Sequence, residues 1–375
     1  MKAVKLRIYP NDTQKGLIEK HFGCCRWIYN YGLEKKTKFY NETKKSLSIF
    51  DISNDLPGLK KKEETVWLKE VGSQALQQAL KDLDSAFSSF FKKITKFPRF
   101  KSKRNNKQSF RIPQGFEVIP DSHVIDLPKI GAIKFRDKFE FPKDVFYRSI
   151  TVSKNNANQY FASVLLDDKE TPKVKPPVNK SKTLGIDLGV KTFATFSDGQ
   201  KVENPKFLKE SLDKIKTESE KLSRKTKDSN NYGKQKLRLA KTHLKVANRR
   251  QDFLNKLTTS ISKNQGYTSI AIEDLAVKEM AQTFKPINRA IGDCGFRIFR
   301  TMLEYKCERE GKNLLVINRF DASSKTCSCG VKNETLSLDE RTWICQSCGA
   351  THDRDLLAAN NIKTFAVAGQ ATRFT

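Results

Sequence analysis

Residues 184–190, Leu-Gly-Ile-Asp-Leu-Gly-Val, set a carboxylate in the middle of an apolar strand. Leu184, Ile186, Leu188 and Val190 alternate as a buried strand does. An ionised Asp187 among them is costly unless a cation or a hydrogen-bond donor lies beside it. Gly185 and Gly189 suit a close approach of other backbone. Two further acids close or open elements downstream. Glu273 ends the apolar stretch Ser-Ile-Ala-Ile-Glu, and Asp355 opens a helix in Asp353-Arg-Asp-Leu-Leu-Ala-Ala-Asn. Each has a plainer alternative: Asp353 or Asp355 as a helix N-cap, Glu273 as a solvated strand end. Three acids on separate parts of one sheet suit a pair of Mg²⁺ ions. Such a pair activates water and stabilises the leaving oxygen in phosphodiester hydrolysis.

The rest of the chain falls into two halves. Residues 3–9 read as a strand with Val4, Leu6 and Ile8 on one face and Lys5 and Arg7 on the other. Residues 13–40 and 73–93 read as helices, and the polar stretch 41–65, broken by Pro57-Gly58, reads as a loop or hinge. Short alternating segments over 109–166 suggest a small β-barrel, and the Pro- and Lys-rich stretch 171–182 reads as a linker. After the strand at 184–190 come a strand at 193–197, a hairpin turn at Asp198-Gly199 and one long helix over about 205–263. That helix carries an apolar stripe at Leu237, Ala240, Leu244, Ala247, Leu254, Leu257 and Ile261. A strand at 269–273, a helix at about 290–310, a strand at 314–317 and a final helix at about 354–366 complete the order, which is that of an RNase H-like fold. The fold class is therefore α/β and mixed: a first lobe over 1–180 with helices inserted at about 12–108, then an RNase H-like domain over 181–375.

Lys and Arg outnumber Asp and Glu 71 to 42, a net charge of +29. A charge of that size repels itself unless an anion neutralises it, and nucleic acids are the abundant polyanions. Two runs concentrate it. Residues 92–107 hold Lys92, Lys93, Lys96, Arg99, Lys101, Lys103, Arg104 and Lys107 with no acid, and Lys221–Arg250 holds eleven Lys or Arg, including Arg224, Lys236, Arg238, Lys241, Lys245 and Arg249, against one Asp. With Lys5 and Arg7 these are candidates for phosphate contact, and a solvated basic face is the alternative. Phe97, Phe100 and Phe110 interleave with the first run as stacking candidates, with core packing expected for at least two of them. No apolar run approaches the roughly 20 residues needed to cross a bilayer, and the N-terminus lacks a signal-peptide core, so a cytoplasmic location with reduced thiols is expected. Four of the eight cysteines, Cys327, Cys329, Cys345 and Cys348, form two pairs suited to structural zinc, with His352 as a substitute if Cys329 cannot reach. Cys24, Cys25, Cys294 and Cys307 lack such spacing and are expected in the core.

Gly185-Ile-Asp-Leu-Gly-Val-Lys, Ile272-Glu-Asp-Leu, and Asp353-Arg-Asp with Ala358-Ala359 and Asn361-Ile362 resemble the three RuvC motifs of the TnpB family. The likeness runs nearly the whole length. It takes in Lys5-Leu-Arg-Ile-Tyr-Pro, Phe22-Gly-Cys-Cys-Arg, Phe97-Pro-Arg-Phe-Lys-Ser, Ala240-Lys-Thr-His with Asn248-Arg-Arg-Gln-Asp-Phe-Leu, and Ser323-Ser-Lys-Thr-Cys. The resemblance implies a RuvC nuclease with a zinc ribbon inserted at about 323–350, and metal-binding roles for Asp187, Glu273 and Asp355. It also implies a guide RNA and a double-stranded DNA target whose sequence is read mainly by base pairing. The N-terminal half would read a motif beside the target, with Gln74, Gln77 and Gln78 as candidates for base edges. One position departs from the pattern: Leu357 stands where the family commonly has Asn. A non-cleaving RNA-guided regulator and a strand-transfer transposase are the alternative functions.

Overall fold

The N-terminal alternation makes strand β1 (Lys2–Ile8), with Val4, Leu6 and Ile8 buried. Asn11 then caps α1 (Asp12–Thr43) in a reciprocal box. Its side chain accepts from the Gln14 N–H at 2.9 Å, and Gln14 accepts from the Asn11 N–H at 3.0 Å. The computed structural model describes residues 1–104, 108–136, 139–142, 145–167, 171, 173–283, 288–337 and 339–371. The chain divides into two units, Met1–Glu170 and Thr171–Thr375.

In the first unit α1 packs against α4 (Ser73–Phe91), joined through Ile18, Phe22, Ile28, Leu76, Leu80 and Leu83. Between them the expected loop is folded as α2 (Ile49–Ser53), α3 (Leu56–Leu59) and a 3₁₀ turn (Glu63–Glu70). Ile49, Ile52, Leu56, Leu59 and Leu68 are all buried, so pairs of apolar residues three apart were enough to fix single turns. Pro57 is tolerated because it stands in the first turn of α3, where no N–H is needed. Six more strands follow: β2 (Gln108–Ile112), β3 (Glu117–Ile119), β4 (Val124–Leu127), β5 (Gly131–Arg136), β6 (Phe146–Lys154) and β7 (Tyr160–Asp167). With β1 they form one seven-stranded sheet, β2-β6-β7-β1-β5-β4-β3, whose alternate residues enter a common core.

The second unit holds β8 (Thr183–Leu188), β9 (Thr192–Phe196), β10 (Lys201–Glu203), α5 (Phe207–Ser223), α6 (Asn230–Lys263), β11 (Ser269–Glu273), α7 (Val277–Thr283), α8 (Asn288–Cys294), α9 (Phe296–Glu310), β12 (Asn313–Ile317), β13 (Thr342–Ile344), β14 (Thr351–Asp353) and α10 (Arg354–Ala371). Five strands pair in the order β10-β9-β8-β11-β12, with β8, β11 and β12 parallel and β9 and β10 antiparallel. β8 buries Thr183, Leu184, Gly185 and Ile186 in succession rather than alternately, because a central parallel strand is covered on both faces.

Three helical expectations are corrected. The long helix breaks into α5 and α6 at 224–229, where Asp228 has a positive φ of 65° and Ser229 caps α6 by accepting from the Tyr232 N–H at 3.1 Å. The helix at 290–310 breaks at Gly295, whose φ of 70° suits glycine. The last helix continues through Gly369 to Ala371. On α6, Ala247 is exposed and Val246 is buried, since the helix meets α5 along one half and α9 along the other. The stretch expected as a linker is held within the second unit: Lys175 Nζ lies 2.6 Å from Glu308, and Asn313 donates to the Pro176 carbonyl at 2.8 Å. No helix among the described residues is long and apolar enough to cross a membrane.

Candidate active site

Register places two of the acids side by side. Ile186 on β8 pairs with Ile272 on β11, so Asp187 and Glu273 follow at neighbouring strand ends. The third acid arrives with α10, which lies directly on β8. A Cβ at Gly185 would sit 2.0 Å from the Ala359 carbonyl oxygen, so only glycine admits this crossing. Ala358 and Ala359, both buried, keep the helix equally close. Burial holds the Asp187 carboxyl well above the usual carboxylate range, and the negative charges of Glu273 and Asp355 raise it further against the partial opposition of Arg354 and Arg341. The Glu273 carboxyl is also raised by burial, while the Ser323 hydroxyl donates to it and so opposes the shift.

The capping alternative resolves onto one residue. Asp353 accepts from the N–H groups of Asp355 at 3.0 Å and Leu356 at 3.1 Å, and its other oxygen meets Lys201 Nζ at 2.8 Å. Asp355 is thereby free of the capping duty, and it pairs instead with Arg341 at 3.2 Å. Arg341 was not picked out in the sequence, where nothing distinguishes it from other surface cations; it reaches Asp355 only through the fold. Glu273 is likewise more than a solvated strand end, because Ser323, itself buried, orients it. Asn361 in turn donates to the carbonyls of Ser323 at 2.7 Å and Thr326 at 2.6 Å. Asn361 had a usable signal, an amide on the apolar face shared by Ala358 and Ile362.

Among the described residues, the ligating side chains that draw to within 4.8 Å of one another as a group are Cys327, Cys329, Cys345 and Cys348. The three carboxylates interact electrostatically without closing into such a group. Sulfur separations of 3.5 Å (Cys327–Cys348) and 3.8 Å (Cys329–Cys345) match the roughly 3.8 Å edge of a tetrahedron with about 2.3 Å zinc–sulfur bonds. The donor set therefore fits zinc. Two glycine-closed knuckles build it: Gly330 (φ 90°) returns its N–H to the Cys327 carbonyl, and Gly349 (φ 72°) to the Cys345 carbonyl. Cys329 does reach the group, so the tight pair needs no substitute. His352 instead sets Nε2 3.0 Å from the Cys327 sulfur and tilts against Trp343. The other four cysteines are buried, as expected of core residues.

The basic candidates divide. Lys96, Arg99, Lys101, Lys103 and Arg104 are exposed; Lys107 lies outside the described residues. Asn30 clamps this run by donating to the Lys101 carbonyl at 2.9 Å and accepting its N–H at 2.7 Å. Of the three phenylalanines only Phe110 is in the core, against His21 and Phe22; Phe97 and Phe100 remain 47% and 63% exposed. The expectation of core packing for two of them is corrected, because Phe97 meets Phe87 and Phe90 only edge-on at the end of α4. Lys5 and Arg7 sit over the Phe161 ring at 4.3 and 5.2 Å. Gln77 is exposed, Gln78 is partly buried, and Gln74 has its carbonyl oxygen buried without a hydrogen-bond partner among the described residues. On α6, Lys236, Arg238, Lys241 and Lys245 are exposed and make no ion pair among the described residues, as is Arg224 at the end of α5. Arg249 is engaged within the unit by Glu210 at 2.9 Å and the Phe207 ring at 4.5 Å.

Known proteins give an independent measure of kinship. Residues 163–283 match a family described as "Probable transposase", residues 296–362 the "Cas12f1-like, TNB domain", and residues 1–45 a "Helix-turn-helix domain". In this chain the last of these is a strand followed by one long helix. A "Putative RNA-guided DNA endonuclease" of Streptomyces pristinaespiralis is 36% identical over 372 residues, covering 99% of this chain and 90% of the relative. A like-named protein of Escherichia coli K12 is 32% identical, covering 96% and 91%. A "TnpB-like protein" of Acanthamoeba polyphaga mimivirus is 24% identical, covering 96% and 72%. Among solved structures, a chain from a cryo-EM Cas12f1–sgRNA–target DNA complex superposes with a TM-score of 0.58 at 13% identity, covering 96% and 98%, and so shares the fold. With more than a third of its residues identical to a relative matched nearly end to end, the chain belongs to the TnpB family.

Proposed function

We infer that this protein is an RNA-guided DNA endonuclease of a transposable element, and that its second unit is a RuvC-type nuclease of RNase H-like fold in which Asp187, Glu273 and Asp355 hold two Mg²⁺ ions. The observation that carries the reading is Asp187, partly buried near the end of β8, whose proton affinity is raised by desolvation and then by two other carboxylates brought from β11 and α10. Carboxylates that raise one another's proton affinity are a site for hard divalent ions, with Arg341 standing in for part of that charge. Bound there, the ions supply an activated water and a stabilised leaving oxygen, so the products carry 5′-phosphates and 3′-hydroxyls. The chain's own part is positional. β8 fixes Asp187, Ser323 orients Glu273, Asp353 caps α10 so that Asp355 stays available, and Arg341 screens Asp355 until an ion replaces it.

The first unit acts as the recognition lobe. We take its seven-stranded sheet, whose strands all feed one core, as the small barrel of that lobe, and Gln77 and the exposed run 96–104 lie on its helical insertion. Guide RNA and target duplex are the partners, followed along their backbones by Lys96, Arg99, Lys103 and Arg104 of that run and by Lys236, Arg238, Lys241 and Lys245 of α6, all exposed. Zinc in the thiolate cluster is structural, because four thiolates leave no open position.

The test is cleavage by protein co-expressed with RNA from its own transposon end. A DNA duplex matching the guide is cut in Mg²⁺, and Asp187→Ala abolishes cutting while leaving RNA binding intact. Intact target under these conditions identifies the non-cleaving regulator, which the departure at Leu357 makes the reading to beat; joined strands identify a transposase.

A further inference from the structure

The thiolate cluster is tied to two of the three carboxylates by contacts that zinc binding itself does not require. On one side Leu357, two residues past Asp355, is buried together with Cys327, Leu336, Trp343 and Cys345. The same turn is pinned by Arg354, whose backbone N–H donates to the Arg341 carbonyl and whose guanidinium donates to the Ser337 carbonyl, each at 2.8 Å. On the other side Ser323, which donates to Glu273, stands four residues before Cys327 and has its carbonyl held by Asn361. The segment between Ser323 and Asp353 is thus anchored at each end beside an acid.

That segment cannot hold its own shape. It spans about 30 residues and its own core is Cys327, Leu336, Trp343 and Cys345, closed by Leu357 from α10, whereas segments below about 40 residues usually need metals or disulfides to fold. When the metal leaves, Leu357 loses the cluster it packs into and the 323–326 loop loses its anchor. We propose that the four-thiolate site is a brace for the carboxylates. Leu357 and Asn361 are the positioning residues that pass its metal-bound fold to Asp355 and Glu273, so divalent-cation affinity at the carboxylates depends on zinc occupancy. The proposal rests on the reading of those acids as the divalent site. It also gives Leu357 a role: a leucine here trades a polar group for a buried contact that ties the third acid to the knuckles.

The full chain with its guide RNA is titrated with Mn²⁺ by electron paramagnetic resonance, and cleavage is followed against Mg²⁺ concentration. Leu357→Ala, still carrying one zinc per chain, binds Mn²⁺ about 10- to 100-fold more weakly, the range seen when outer partners of metal ligands are removed. It needs correspondingly more Mg²⁺ for half-maximal cleavage, and Leu357→Met restores both. Ser323→Ala, which changes no packing, gives the same shift should Leu357→Ala fold poorly. Removing zinc from the wild-type chain weakens Mn²⁺ binding at least as much. Zinc-loaded Leu357→Ala and Ser323→Ala with wild-type Mn²⁺ affinity overturn the brace alone. Wild-type Mn²⁺ binding that is indifferent to Asp187→Ala overturns the carboxylate reading, and the brace falls with it.

Discussion

At the scale of single residues, the proposed role of Asp187 sets activity against stability. Its carboxyl is raised in the folded chain, so its contribution to stability is full below the ordinary carboxylate range and is lost as pH rises through the raised value. At neutral pH the metal-free protein therefore bears the cost of this acid, met either by holding a proton or by holding a charge beside Glu273 and Asp355. Asp187→Asn raises the metal-free Tm at neutral pH, by an amount that shrinks on acidification, and abolishes cleavage. Thermal unfolding of the pair between acid and neutral pH checks this, and a destabilised Asn variant at neutral pH contradicts it. Mg²⁺ stabilises the wild-type chain more as pH rises, and Asp187→Asn much less. Position 187 was legible because an acid inside an apolar strand has few harmless explanations. Arg341 was not, since its meeting with Asp355 at 3.2 Å is made by the fold and not by spacing.

Among the elements, α10 does the most to assemble the site, and Gly185 is what lets it. Gly185→Ala drives a Cβ against the Ala359 carbonyl, where backbone rather than a flexible side chain must give way. Overpacking of this kind costs about 1–3 kcal/mol, so the variant loses several degrees in Tm and, with Asp355 displaced, loses cleavage beyond what its unfolding explains. Stripping the thiolate metal melts the 323–353 segment first, seen as fast amide exchange at Trp343 and Leu357 while β1 and β7 stay protected. Strands were read well where hydrophobic alternation or a continuous apolar run marked them. Helix breaks were not, because Asp228, in the loop before α6, and Gly295 interrupt the helical path by backbone conformation, which leaves apolar periodicity undisturbed. The turns within 41–65 were missed for the opposite reason: their few apolar residues are too short a run to show a period, and only burial reveals them.

Over the whole molecule, a net charge of +29 makes nucleic-acid affinity steeply salt-dependent. Arg238, Lys241 and Lys245 recur at three- and four-residue spacing along one face of α6 and lack ion pairs among the described residues. Lys241→Ala with Lys245→Ala reduces the slope of log affinity against log salt by about 1–2, near 0.7–0.9 per phosphate contact, without changing which guide is bound; an unchanged slope removes α6 from the binding path. The mixed α/β content was legible at this scale, because charge and element order survive errors in single boundaries. The direct test of the whole account is the anomalous scattering of Mn²⁺ in crystals of the protein with guide RNA and target DNA. Two peaks about 3.5–4 Å apart, touched by Asp187, Glu273 and Asp355 and by the DNA backbone, are predicted. Manganese bound elsewhere, with the Asp187 carboxylate free of metal, contradicts it.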